Sequence, residues 1–200
     1  MPATLHRFAT PTAPIDPTIW ETALAIDAYI AQAASLQALW QSARRVAQIT
    51  ETVRDAATQL TPPVHLLALT EDWCGDAVHT LGVVARIAEA APRVTLRLTS
   101  RDAHPALMEA HLSAGSRSIP VVMALDVTGA EWGWWGPRPS LLQTWVKDEG
   151  MALDKDARWK AIRTWYARDR GEATASEVLA LLTHAAKGIS GDTQTSGALG

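Results

Sequence analysis

Val64-His65-Leu66-Leu67-Ala68-Leu69-Thr70-Glu71-Asp72-Trp73-Cys74-Gly75-Asp76-Ala77 is the stretch whose reading decides the fold. Val64 to Leu69 is a short apolar run bounded by turn-forming residues, the pattern of a buried strand. From Ala77 to Ala90 the apolar residues Val78, Leu81, Val84, Ala85 and Ala88 return on one side of a helix, which Pro92 ends. Glu71 to Asp76 therefore joins a strand to a helix, and the only cysteine of the chain lies in that join. A thiol at a helix N-terminus faces unpaired N–H groups and the positive end of the dipole, and both favour the thiolate. Gly75 lets the backbone turn and approach closely. Asp76 acts in two directions: a carboxylate at a helix start stabilises the helix, while beside a thiolate it raises the thiol pKa. The competing reading of Cys74 is a buried small hydrophobe.

Downstream, Val94, Leu96 and Leu98 alternate with Thr95 and Arg97, which predicts a strand over 94–99. Asp102 is placed to cap a helix over 103–113, and Gly115 to close it. Val121 to Leu125 reads as a second buried strand, and residues 127–130 as a turn into a return strand, Glu131 to Trp135. Pro120 stands before the buried strand, where a residue without an N–H is tolerated. Pro137 and Pro139 open a helix to about Lys147, and further helices cover 156–166 and 174–187. The order β-α-β-α-β-β-α predicts a parallel pair with a crossover helix plus an antiparallel hairpin. The expected class is α/β, a small mixed sheet flanked by helices, with extra helices at both ends.

Upstream, Asp16-Pro17 pairs an N-cap with proline at the first helical position, and 3.6-residue periodicity predicts two or three helices over 17–60. Residues 1–16 read as an irregular arm, residues 61–187 as the α/β domain with its C-terminal helices, and residues 188–200, rich in Gly, Ser and Thr, as a disordered tail. A formal charge of −3 and a pI of about 6.0 argue against nucleic acid or an anionic membrane as partner. No signal peptide or membrane span is expected, and one cysteine suits a reducing cytoplasm. No metal site or cofactor is expected, since no cluster has ligand spacing. His79 lies about 140° round the helix from Cys74, which argues against a direct pair.

Trp73-Cys74-Gly75-Asp76-Ala77 is similar to the Trp-Cys-Gly-x-Cys motif of the thioredoxin superfamily with the second cysteine absent; Ala77 stands in its place. Ile119-Pro120 is similar to the Ile-Pro that carries that superfamily's cis-proline. A closer resemblance is to a bacterial thioredoxin-like subgroup with a helical N-terminal extension. Its motifs stand here as Thr70 to Asp76, Arg101-Asp102, Arg117 to Pro120, Trp135 to Pro139, and Trp165 to Asp169. The resemblance implies a thioredoxin fold. It also implies an active site at Cys74 supported by Trp73, Gly75, Asp76, Ala77, Ile119 and Pro120, with Arg117 and Trp135 as candidate substrate or partner contacts. The departures are consistent with one another: Ala68 replaces a buried aspartate that assists the second cysteine, and Gly82 replaces a helix-kinking proline. Two functions follow as expectations. In one, Cys74 performs monothiol exchange on protein disulfides or mixed disulfides of small thiols, resolved by an external thiol reductant. In the other, the chain is a non-catalytic binding module.

Overall fold

A computed structural model of the chain describes residues 5–8 and 10–197. Five strands form one mixed sheet in the order β1-β5-β4-β2-β3. They are β1 (Leu5–Arg7), β2 (Val64–Thr70), β3 (Val94–Ser100), β4 (Val121–Leu125) and β5 (Glu131–Trp135). β2 and β3 are parallel and are joined by helix α5 (Gly75–Ala90); the remaining neighbours are antiparallel. The predicted crossover unit and hairpin are both present. β4 is buried throughout and β2 at every position but His65, as strands covered on both faces require.

Four short helices precede the sheet's second strand: α1 (Pro17–Thr22), α2 (Ile26–Gln32), α3 (Gln37–Val46) and α4 (Glu51–Thr58). Asp16 caps α1, accepting from the Thr18 amide at 2.9 Å, and Thr50 caps α4. Such caps are each worth about 1 kcal/mol. Helices α3 and α4 pack on α5. At Gly82 a Cβ would meet Ala47 Cβ at 3.2 Å and the Ala43 carbonyl oxygen at 3.5 Å. The position that holds a proline in the family resembled is therefore a point of close approach between the N-terminal extension and α5. Arg44 adds ion pairs to Asp27, at 3.0 Å, and to Glu89.

The C-terminal half adds α6 (Pro105–Glu109), α7 (Ser140–Asp148), a 3-10 turn (Gly150–Ala152), α8 (Lys155–Asp169) and α9 (Glu172–Gly197). Three expectations need correction. Part of the arm over 1–16 is not irregular: Leu5–Arg7 pairs antiparallel with β5, and the Thr12 and Ile15 amides bond Glu131 and Gly129 carbonyls beyond it. Three residues are too few to show a period; residues 1–4 and 9 lie outside the described residues. The tail over 188–200 is helical to Gly197, because α9 lays Val178, Leu181, Leu182, Ala185 and Ala186 on the core and Ile189 continues that face. Packing overrides its weak composition; residues 198–200 lie outside the described residues. Finally, α6 is shorter than predicted and its N-cap is His104, because Asp102 binds Arg101 instead.

Candidate functional site

Cys74 is the N-cap of α5. Its amide donates to the Glu71 carbonyl at 3.1 Å and its own carbonyl accepts from Val78 at 3.1 Å, so the residue is fixed by the turn before it and the helix after it. The thiol donates to the Ile119 carbonyl oxygen across 3.4 Å. The Ile119–Pro120 bond is cis, as is Gly136–Pro137. Gly136, at φ +135°, lies so close to Pro120 that a Cβ would collide with the Pro120 carbonyl oxygen. The chain leaving β5 thus closes over the segment that leads into β4, next to the sulfur.

Cys74 is only 6% exposed. Burial pushes the thiol up to about 11, and the Asp76 charge adds to the shift; the Ala77 and Asp76 amides and Arg138 act the other way without overcoming it. The helix terminus is therefore outweighed, and both readings of Cys74 hold in part: it stands at a helix N-terminus and it is buried and protonated at neutral pH.

Asp76 is the hub beneath the thiol. It is 2% exposed, yet its carboxylate is fully engaged: Oδ2 takes Arg138 Nη2 at 2.6 Å and Oδ1 accepts from the Tyr166 hydroxyl at 3.0 Å. Arg138 Nη1 donates to Gln143 Oε1 at 3.0 Å, while its buried Nε has no hydrogen-bond partner. Burial and the Asp76 charge drive the Tyr166 hydroxyl well above its ordinary value, so it serves as a neutral donor. His79 stacks on Tyr166 with centroids 4.7 Å apart, and burial lowers its pKa. Arg138 and Tyr166 lie in two of the motifs quoted above, but composition and spacing assign neither to the site. The signal that points to them is a lone carboxylate at a helix start, since a buried aspartate requires cationic and hydroxyl partners.

The rest of the motif anchors the loop. Glu71 Oε1 accepts from Ser100 Oγ at 2.7 Å and from the Asp102 amide at 2.9 Å. Asp72 Oδ2 accepts from the Ala34 and Ser35 amides at 2.7 and 2.8 Å, and its carbonyl from Trp40 Nε1 at 2.8 Å. These bonds pin the N-terminal extension to the site. Trp73, 51% exposed, lies under the Arg101 guanidinium at 5.1 Å.

The structure brings together Trp73, Cys74, Gly75, Asp76, Ala77, Ile119 and Pro120. Arg117 is exposed and pairs with Glu109 at 3.1 Å. Trp135 is corrected: it is fully buried, its Nε1 donating to Glu177 Oε2 at 2.7 Å, so it offers no surface to a partner. Trp132 and Trp134 are buried too, because β5 is covered on both faces. Among the described residues no group of three or more His, Cys, Asp or Glu side chains could hold a metal ion, and no helix is long and apolar enough to cross a membrane.

The family model described as thioredoxin matches residues 23–159. Two solved structures share the fold. One is a protein of unknown function from Pseudomonas aeruginosa, at 19% identity and a TM-score of 0.66, covering 86% of this chain and 98% of that one. The other is an HIV epitope scaffold, at 18% identity and a TM-score of 0.67, covering 84% of this chain and 96% of that one. A comparison with curated proteins gives no match. With a sheet of this topology, a cysteine at the head of α5 and a family match over most of its length, the chain belongs to the thioredoxin family.

Proposed function

We propose that this thioredoxin-like protein performs monothiol thiol–disulfide exchange through Cys74, working with small thiols in a reducing bacterial cytoplasm. The observation that carries the reading is the placement of Cys74 Sγ at the head of α5, 3.4 Å from the carbonyl oxygen of Ile119, the residue before the cis-proline Pro120. Ala77 excludes resolution from within the motif. In the first step Cys74 loses its proton and the thiolate attacks the small-thiol sulfur of a protein mixed disulfide. A bond forms between Cys74 and that sulfur as the substrate's S–S bond breaks, and the released protein thiolate takes up a proton. In the second, the thiolate of an external small thiol attacks the same small-thiol sulfur and expels the Cys74 thiolate, which is reprotonated. The protein thiol is regenerated, one external small thiol is consumed, and the small thiol that the protein carried leaves joined to it as their disulfide.

The raised thiol pKa makes this chemistry slow at neutral pH and faster as pH rises toward 11. A second reading, a binding module without turnover, draws support from the same burial and from Ala68 and Ala77. The test is the rate of Cys74 alkylation by iodoacetamide against pH, alongside mass detection of the adduct formed with oxidised glutathione. The expected result is a rate that climbs through pH 8–10 and a single adduct that reduced glutathione removes. A folded protein that forms no adduct at any pH in that range transfers the case to the binding module.

A further inference from the structure

Three of the exposed large hydrophobic residues, Leu36, Leu39 and Trp73, converge on one pocket of about 330 Å³. Its other walls include Gly75, Trp159 and Ile162, so both chain neighbours of Cys74 line it. The pocket exists because the extensions meet there: α3 supplies Leu39 and its N-cap residue Leu36, and α8 the second tryptophan, Trp159. Its volume is at the lower end for a ligand site, room for one or two apolar side chains rather than a whole cofactor. An exposed apolar cluster of this kind marks an interaction site.

The charge around it is one-sided. Lys155 and Arg163 line the pocket from exposed positions on α8, and no carboxylate lines it. Neither is in an ion pair among the described residues. From the N-cap Asp154 to Arg170 the chain carries six cations, Lys155, Arg158, Lys160, Arg163, Arg168 and Arg170, against three carboxylates, Asp154, Asp156 and Asp169; of the cations, Lys155 and Arg163 line the pocket. This local excess of basic charge stands against a net charge of −3 for the whole chain.

We infer that this pocket, with Lys155 and Arg163 at its rim, forms the docking surface for an acidic segment of a partner protein, one bulky apolar residue entering between Trp73 and Trp159 with carboxylates flanking it. Apolar burial then supplies the anchor, and opposite charge supplies steering and register. The inference rests on the exchange reading only in naming Cys74 as the thiol to which such a segment presents its sulfur.

Docking is tested apart from the chemistry with fluorescein-labelled peptides that lack cysteine, each with a central Phe flanked by four Glu, four Lys or four Ser. Anisotropy at low salt should show the Glu peptide binding roughly tenfold tighter than the Ser peptide, and the Lys peptide weakest. The preference should shrink as salt rises. Lys155→Glu with Arg163→Glu should remove it, and Lys155→Gln with Arg163→Gln should remove about half in free-energy terms. Both positions are exposed, and circular dichroism checks the fold of each variant. Equal affinity for the three peptides, or a preference untouched by the charge reversal, overturns the inference. So does tighter binding to single-stranded DNA or to phosphatidylglycerol vesicles than to the Glu peptide. Exchange with oxidised glutathione is measured on the same proteins. Docking without exchange defeats the chemistry alone, and exchange without peptide preference defeats the docking alone.

Discussion

Asp76 and Glu131 are both buried carboxylates held by a cationic side chain, yet they behave as opposites. Asp76, at the head of α5, is held by Arg138 and Tyr166. Glu131, at the start of β5, is held by His111 Nε2 at 2.9 and 3.1 Å from its two oxygens. A guanidinium keeps its charge at any pH the fold survives, whereas an imidazole titrates near neutrality. Only the first pair enters the electrostatics of Cys74, where Asp76 and Arg138 pull in opposite directions. Burying a carboxylate is thus not what marks a functional site. The mark is a carboxylate paired with a permanently charged guanidinium beside the sulfur.

The comparison breaks most visibly if Arg138 is removed. Arg138→Met leaves the Asp76 carboxylate with the Tyr166 hydroxyl alone, and breaking a buried pair this way costs about 3–5 kcal/mol. Urea denaturation of the variant against wild type measures it. A loss below about 1 kcal/mol would mean that solvent or a proton already compensates Asp76.

Two smaller effects sharpen the chemistry. Ala77→Cys places a second sulfur three residues along the first turn of α5, where such positions face one another. An internal thiol then competes with external ones at high effective concentration, and reduction of a generic protein disulfide should rise at least about tenfold. If wild type and Cys74→Ser are equally inert, and Ala77→Cys neither closes a disulfide nor gains activity, the exchange reading fails. Asp76→Asn keeps one side-chain oxygen, for Arg138, turns its amide N–H toward the Tyr166 hydroxyl oxygen, and removes the charge. Burial remains as the larger cause, so the thiol should fall part of the way from about 11 toward its ordinary 9.0. Alkylation at pH 8 should quicken about fivefold. Glu131→Gln, on the far pair, should leave that rate unchanged.

The crossover unit was legible in the sequence because β2 and α5 each carry a full period of apolar residues around the motif. The motif's place at a helix start was legible for the same reason. The thiol's ionisation was not: helix position predicts a lowered pKa, and burial, which depends on segments far along the chain, reverses it. Arg138 and Tyr166 were hidden because Asp76 meets them across 62 and 90 residues of chain. β1 was too short to display alternation. The burial of Trp135 is not legible in the sequence, because alternation tells which faces a strand presents, not whether both are covered. α9 covers one, and Glu177 on it takes the indole N–H.

The smallest predicted effect concerns the far pair. Burial pulls His111 down, but the hydrogen bond and charge of Glu131, with the Leu107 carbonyl, outweigh it, and its pKa stands above 6.5. The folded state therefore binds more protons than the unfolded chain between 6.5 and that raised value. The stability this pair contributes is fully present below 6.5 and is lost as pH rises through the folded pKa. His6, His65 and His79 shift the other way, each lowered first by burial. For them the unfolded chain binds more protons below 6.5, so stability falls as pH drops from 6.5 toward their folded values. The two trends give wild type a stability maximum near pH 6.5 in a scan from pH 5.5 to 8.5, a range that stops short of the thiol. His111→Gln should keep the acid limb and flatten the alkaline one, a change of about 1 kcal/mol or less. Denaturant midpoints at half-unit pH steps measure both limbs. An alkaline limb that persists in His111→Gln would assign the titration to another group and remove the contrast between the two buried pairs.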